Sequence, residues 1–183
     1  MRVASEPPAQ LGGRRLGRVV FTEEQIRDRV AALGAAIAAS YGPDDDLLLL
    51  GLLKGSFVFM ADLVRRIDRP LRVDFLIVSS YGAARTSSGE VRLLYDPQVT
   101  LADRSVVVVE DIVDSGTTLN RLLPMLQERG PRSLEVCALL HKPSAALDRA
   151  PRWVGFEAPG DFLVGYGLDC AEDLRQLPYI ASL

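Results

Sequence analysis

Four consecutive valines run straight into two adjacent acids: Ser105 to Val113 reads SVVVVEDIV. β-Branched side chains are restricted in a helix and pack well on a pleated surface, so this run is predicted to be a strand. Its apolar residues are successive rather than alternate, which fits a strand buried on both faces. Leu47 to Leu53 (LLLLGLL), Leu71 to Ser79 (LRVDFLIVS) and Ser133 to Leu140 (SLEVCALL) are further strand segments, with Val91 to Tyr95, Trp153 to Glu157 and Phe162 to Tyr166 as shorter β runs. Helices are predicted at Ser56 to Ile67 and at Thr117 to Arg129, the latter stopped by Gly130-Pro131. Near-continuous apolar strands alternating with helices predict an α/β fold, a mainly parallel twisted sheet with helices on both faces. In such sheets ligands sit beyond the carboxyl ends of the strands.

Another helix is predicted after Phe21, where Thr22 and Gln25 have capping-box spacing and Ile26, Val30, Leu33 and Ile37 form one apolar stripe up to Tyr41-Gly42-Pro43. Residues 1–18 carry Pro, Gly and Arg without periodicity and read as an arm. They have no apolar core, so no signal peptide is expected. At 183 residues the chain suits one domain over 1–183 and needs no disulfide or metal staple. Two cysteines, Cys137 and Cys170, make no disulfide framework and fit a cytoplasmic setting. No apolar run approaches the ~20 residues of a membrane span. A net charge of −3 argues against a nucleic-acid coat. Of the 21 basic residues only two are lysines, Lys54 and Lys142. A lysine is a compact point charge where arginine is a planar fork, so these two positions invite a reason.

The chemistry concentrates in Val106 to Leu119, VVVVEDIVDSGTTL. After Glu110 and Asp111 come Asp114 and then Ser115-Gly116-Thr117-Thr118 at a helix start. Hydroxyls and backbone N–H groups at a helix N-terminus form a phosphate seat, and Gly116 allows close approach. This is not a Walker A loop, because the chain enters through acids rather than glycines. Adjacent carboxylates would repel a polyanion but accept sugar hydroxyls or seat Mg²⁺. The physics therefore points to a sugar phosphate.

This stretch closely resembles the phosphoribosyl-diphosphate signature of type I phosphoribosyltransferases, and the chain from about Val19 to Ile180 resembles their hypoxanthine-guanine branch. The resemblance also rests on LLKGS (Leu52 to Ser56), SSYG with SSGEV (Ser79 to Gly82, Ser87 to Val91), LLHK (Leu139 to Lys142) and VGFEAPGDFLVGYGLD…R (Val154 to Arg175). It implies a small hood attached to the sheet, with 153–183 as the base-binding hood region. It implies a Mg²⁺-dependent purine salvage enzyme that makes IMP or GMP from phosphoribosyl diphosphate and a 6-oxopurine, without nucleic acid or membrane, as a homodimer or homotetramer.

Residue by residue, the resemblance assigns Glu110, Asp111, Asp114, Ser115, Gly116, Thr117 and Thr118 to the ribose and its 5′-phosphate, with Asp114 as the catalytic residue at N7 of the base. It assigns Lys54, Gly55 and Arg175 to the pyrophosphate, in a loop that often carries a cis peptide at Leu53-Lys54. Lys142 would reach the 6-oxo group, Phe162 would stack on the purine, and the Leu163 backbone would read its edge. Glu110, Asp111 and Asp169 would contact the metal. Ser80 and Tyr81 would belong to a mobile loop, residues 79–90, that closes over the reacting centre and excludes water. His141, the single histidine, reads as a packing residue. Two alternatives stay open: a phosphoribosyltransferase for xanthine, adenine or a pyrimidine, and a non-catalytic nucleotide sensor that binds RNA through Arg14, Arg15 and Arg18 or through Arg65, Arg66, Arg69 and Arg72.

Overall fold

The computed structural model describes residues 16–80 and 91–183. In chain order its elements are β1 (Val19–Phe21), α1 (Glu23–Ala39), β2 (Leu47–Leu53), α2 (Phe57–Val64), β3 (Arg72–Ser80), β4 (Val91–Tyr95), β5 (Ser105–Val113), α3 (Thr117–Gln127), β6 (Ser133–His141), β7 (Trp153–Glu157), β8 (Leu163–Val164) and β9 (Ile180–Ser182). Six strands form one sheet in the order β4-β3-β2-β5-β6-β7, parallel except for the β3–β4 pair. Alternation decides which core each side chain joins. Leu47, Leu49, Val107 and Val109 pack with α1 and α2, whereas Leu48, Leu50, Val106 and Val108 pack with α3. The sheet is thus covered on both faces, as its unbroken apolar strands require.

The capping box of α1 is present: Gln25 N donates to Thr22 Oγ1 at 3.2 Å and Thr22 N to Gln25 Oε1 at 2.9 Å. Arg29 on α1 donates to the carbonyls of Gly155 and Val154 on β7, at 2.6 and 2.7 Å. α2 is shorter than the predicted Ser56–Ile67 helix, because Arg66 N and Ile67 N turn tightly onto the Leu63 and Val64 carbonyls.

A second sheet, β1-β9-β8, joins segments far apart in sequence and shelters a small cluster of Leu16, Val164, Leu174 and Leu177. Three expectations change here. Leu16, placed in the arm, is buried, and Gly17 N donates to the Ser182 carbonyl at 2.8 Å. The stretch 153–183 is not one unit, since β7 pairs in parallel with β6 in the main sheet. The β run expected over Phe162–Tyr166 is strand only at Leu163–Val164, because Gly165, Tyr166 and Gly167 all have positive φ (98°, 51° and 101°) and form a turn. Among the described residues no helix is long and apolar enough to cross a membrane.

Candidate active site

The chain reverses direction of growth at β2: β3 lies to one side of it and β5 to the other. That switch opens a crevice beyond the carboxyl ends of β2 and β5. The loop after β2 carries Lys54 and Gly55, and the end of β5 carries Glu110 and Asp111. The two are pressed together, since a Cβ on Gly55 would run into the Asp111 carboxylate. Only glycine permits that approach. The Leu53–Lys54 peptide is cis. Ser56 is buried and donates its hydroxyl to the Leu52 carbonyl at 2.7 Å, tying the loop back to its strand.

Glu110 is buried, and its Oε2 has no hydrogen-bond partner. Burial, helped by the charge of Asp111, pushes its carboxyl well above the usual carboxylate range. Burial likewise raises Asp111 to about 6, against smaller opposing effects of backbone N–H groups and of Arg175. A pair of desolvated carboxylates, one oxygen of which is orphaned, is poised to take a hydroxyl donor or a cation. Among the described residues no three His, Cys, Asp or Glu side chains form a metal-binding group. Glu110, Asp111 and Asp169 are thus not a cage by themselves. A cation that keeps waters and takes substrate oxygens, as Mg²⁺ does, fits such a partial donor set.

Past β5 the chain turns at Gly116 (φ 86°), which has no capping side chain, and enters α3. Thr117 N donates to Ser115 Oγ at 3.3 Å, and the Ser115 and Thr117 hydroxyls lie 3.0 Å apart beside the helix start. Helix N-termini flanked by hydroxyls are chemically suited to an anion. A Cβ on Gly116 would strike the Leu147 side chain and the Ala146 carbonyl. Asn120 fixes the same neighbour: Nδ2 donates to the Ala146 carbonyl at 2.8 Å, and Oδ1 accepts from Asp148 N at 3.0 Å. The turn at Gly116 and the loop after β6 are thus joined.

That loop begins with Lys142, whose N–H donates to the Val113 carbonyl at 2.9 Å and whose Nζ lies 2.9 Å from Asp114 Oδ1. Asp114 is largely exposed and Lys142 mostly covered. Phe162 is 58% exposed, so it is not the core residue its type alone suggests; Leu163 beside it is buried. Ser80 ends β3, paired with Val91. Tyr81 and residues 82–90 of the expected loop lie outside the described residues.

Arg175 reaches back across the hood turn. Nη1 donates to the Gly167 carbonyl at 2.8 Å, and Nη2 lies 2.8 Å from Asp169 Oδ1 and 3.3 Å from Glu172 Oε2. Lys54 Nζ meets the same Glu172 oxygen at 3.0 Å. Glu172 was not legible as a site residue: it is 118 positions from Lys54, and no spacing signals the contact. Three of the arginines of the rival RNA-binding reading make contacts within the chain. Arg65 pairs with Asp62, Arg69 donates to the Gly42 and Asp45 carbonyls, and Arg72 pairs with Asp46.

A strand-end crevice with an acidic pair, a hydroxyl-flanked helix start and a lysine-bearing loop defines a class, and the chain belongs to the phosphoribosyl transferase domain family, which matches residues 21–170. Among its relatives, the hypoxanthine-guanine phosphoribosyltransferase of Mycobacterium avium is 47% identical, over 96% of this chain and 90% of that one. A hypoxanthine phosphoribosyltransferase from Staphylococcus aureus superposes with a TM-score of 0.87 at 42% identity, over 92% of this chain and 91% of that chain. The Trypanosoma cruzi hypoxanthine phosphoribosyl transferase, solved in connection with the role of its C-terminal region in oligomeric state and activity, has a TM-score of 0.87 at 38% identity, over 96% and 94%.

Proposed function

We propose that the protein transfers the 5-phosphoribosyl group of phosphoribosyl diphosphate to N9 of hypoxanthine or guanine, releasing pyrophosphate, and so serves purine salvage. The observation that carries this reading is the Lys142 Nζ–Asp114 Oδ1 pair at 2.9 Å. A 6-oxopurine presents O6 and N7 side by side on one edge. With N7 protonated, that edge is an acceptor beside a donor, the complement of an ammonium beside a carboxylate. Adenine presents an amino donor at position 6, and an ammonium has no acceptor to offer it.

The chain's residues then divide the work. Phe162 stacks on the base and the Leu163 backbone meets its edge. Ser115 to Thr118 hold the 5′-phosphate, and Glu110 and Asp111 accept the ribose hydroxyls. Lys54, the Gly55 backbone and Arg175 hold the diphosphate. Asp114 takes the N7 proton, the N9–C1 bond forms, and the C1–oxygen bond breaks with its electrons leaving on pyrophosphate. The transition state has oxocarbenium character, as in glycoside chemistry, and most of the catalysis is alignment of three pinned groups. Glu110, Asp111 and Asp169, with waters and substrate oxygens, would hold Mg²⁺, which offsets charge on the leaving group when bound. We place this reaction in the cytoplasm, on an assembly of two or four copies.

The test is pyrophosphate release with Mg²⁺ and phosphoribosyl diphosphate, offering hypoxanthine, guanine, xanthine, adenine and uracil in turn. Release with hypoxanthine or guanine well above the others supports the reading. Release confined to adenine or uracil overturns the base assignment, and salt-sensitive RNA binding without release from any base would favour a regulator.

A further inference from the structure

Lys54 and Arg175, the two cations assigned above to the diphosphate, already share one anion. Glu172 Oε2 accepts from Lys54 Nζ at 3.0 Å and from Arg175 Nη2 at 3.3 Å. A single oxygen bridging two cations from separate elements is the arrangement a phosphate oxygen would adopt there. We propose that Glu172 is a built-in competitor for the diphosphate, seated between Lys54 and Arg175, which leaves as the substrate enters and returns as pyrophosphate departs. The proposal rests on the assignment of those two cations to the diphosphate.

The local structure suits a removable group. The backbone of Glu172 is fixed: it holds a left-handed φ of 66°, and its N–H donates to Asp169 Oδ2 at 2.8 Å. The other oxygen of Asp169 holds Arg175 at 2.8 Å, so the turn and the guanidinium are built together. The Glu172 side chain, by contrast, is 65% exposed and Lys54 is 64% exposed. Exposed pairs of this kind are weakly held, so a rotamer change releases the carboxylate without moving the backbone. The Lys54 hydrogen bond, and then that from Arg175, hold the Glu172 carboxyl below its ordinary range, so it remains an anion at neutral pH. A diphosphate carries more charge and more oxygens than a carboxylate and displaces it. The displaced group then lowers the affinity of substrate and product alike and hastens product release, a step that limits many enzymes.

The experiment is steady-state kinetics on Glu172→Gln, with thermal melting to confirm folding. The KM for phosphoribosyl diphosphate and the inhibition constant for pyrophosphate should fall together, on the order of fivefold, while the KM for the base stays put. Unchanged or raised constants overturn the proposal. Lys54→Gln separates this from the site assignment beneath it. If Lys54 binds diphosphate, that variant raises both constants, and the gain from Glu172→Gln shrinks when the two are combined. If Lys54→Gln leaves both constants unchanged, the diphosphate seat itself is misassigned and the competitor falls with it.

Discussion

Removing one oxygen from Tyr166 should loosen the hood from the main sheet. Its ring is 5% exposed, and its hydroxyl donates to Asp62 Oδ2 on α2 at 2.7 Å. Burial and then that hydrogen bond raise the phenol above its ordinary range, so it is a neutral donor at any working pH. Tyr166→Phe keeps the ring and the backbone conformation at φ 51°, so the strain of that position cancels in the comparison. A hydrogen bond to a charged group contributes roughly 1.5–3 kcal/mol. Asp62 is 38% exposed and keeps its contact with Arg65, so the loss belongs at the low end, about 1.5 kcal/mol. For a chain of this size that corresponds to a fall in Tm of about 3–6 °C, with a lower urea midpoint and an unchanged slope. A double-mutant cycle with Asp62→Ala should return most of that loss as coupling. Because the turn leads to Asp169 and Arg175, the KM for phosphoribosyl diphosphate should rise while that for the base holds. A variant melting within about 1 °C of the parent, with an additive cycle, would refute the reasoning.

Lys142→Gln supplies an acceptor as well as a donor at position 6, so selectivity for hypoxanthine over adenine should fall on the order of tenfold or more; an unchanged ratio would mean that another group reads that position. Asp114→Asn cannot take a proton, and kcat should drop by roughly 10²–10⁴ with little change in the KM for phosphoribosyl diphosphate. Near-normal turnover would remove Asp114 from its role. Asp111, near 3.8 in the unfolded chain and raised to about 6 in the fold, binds more protons when folded, so its contribution to stability is present at low pH and lost as pH rises through about 6. The loss is up to about 3 kcal/mol. In buffer free of divalent cations, melting temperature should fall more steeply between about pH 4 and 6 for the parent than for Asp111→Asn, and parallel curves would contradict it.

How much of this was written locally can be seen element by element. The apolar runs at β2, β5 and β6 were readable from the sequence, because their short length and flanking turn residues, and in β5 the consecutive valines, favour strand over buried helix. The start of α1 was equally plain from Thr22 and Gln25. The second sheet was not: β1 and β9 are three residues each, and they become strands only by pairing across the length of the chain. The hood turn was misread because Tyr166 is β-favouring by type, yet tertiary contacts hold it at positive φ between two glycines. The strand-end residues of the site followed from the α/β pattern, and their individual roles came from the resemblance. Glu172 escaped both, since an exposed glutamate in a loop carries no periodic or motif signal.

Arg29 has a bearing on how copies of the protein can meet. Its two bonds to the Val154 and Gly155 carbonyls occupy acceptors on the outermost strand of the six-stranded sheet. Open strand borders recruit other strands, and natural folds blunt them with charge. Here the guanidinium occupies the Gly155 carbonyl, so a further strand is discouraged from adding at that point of β7.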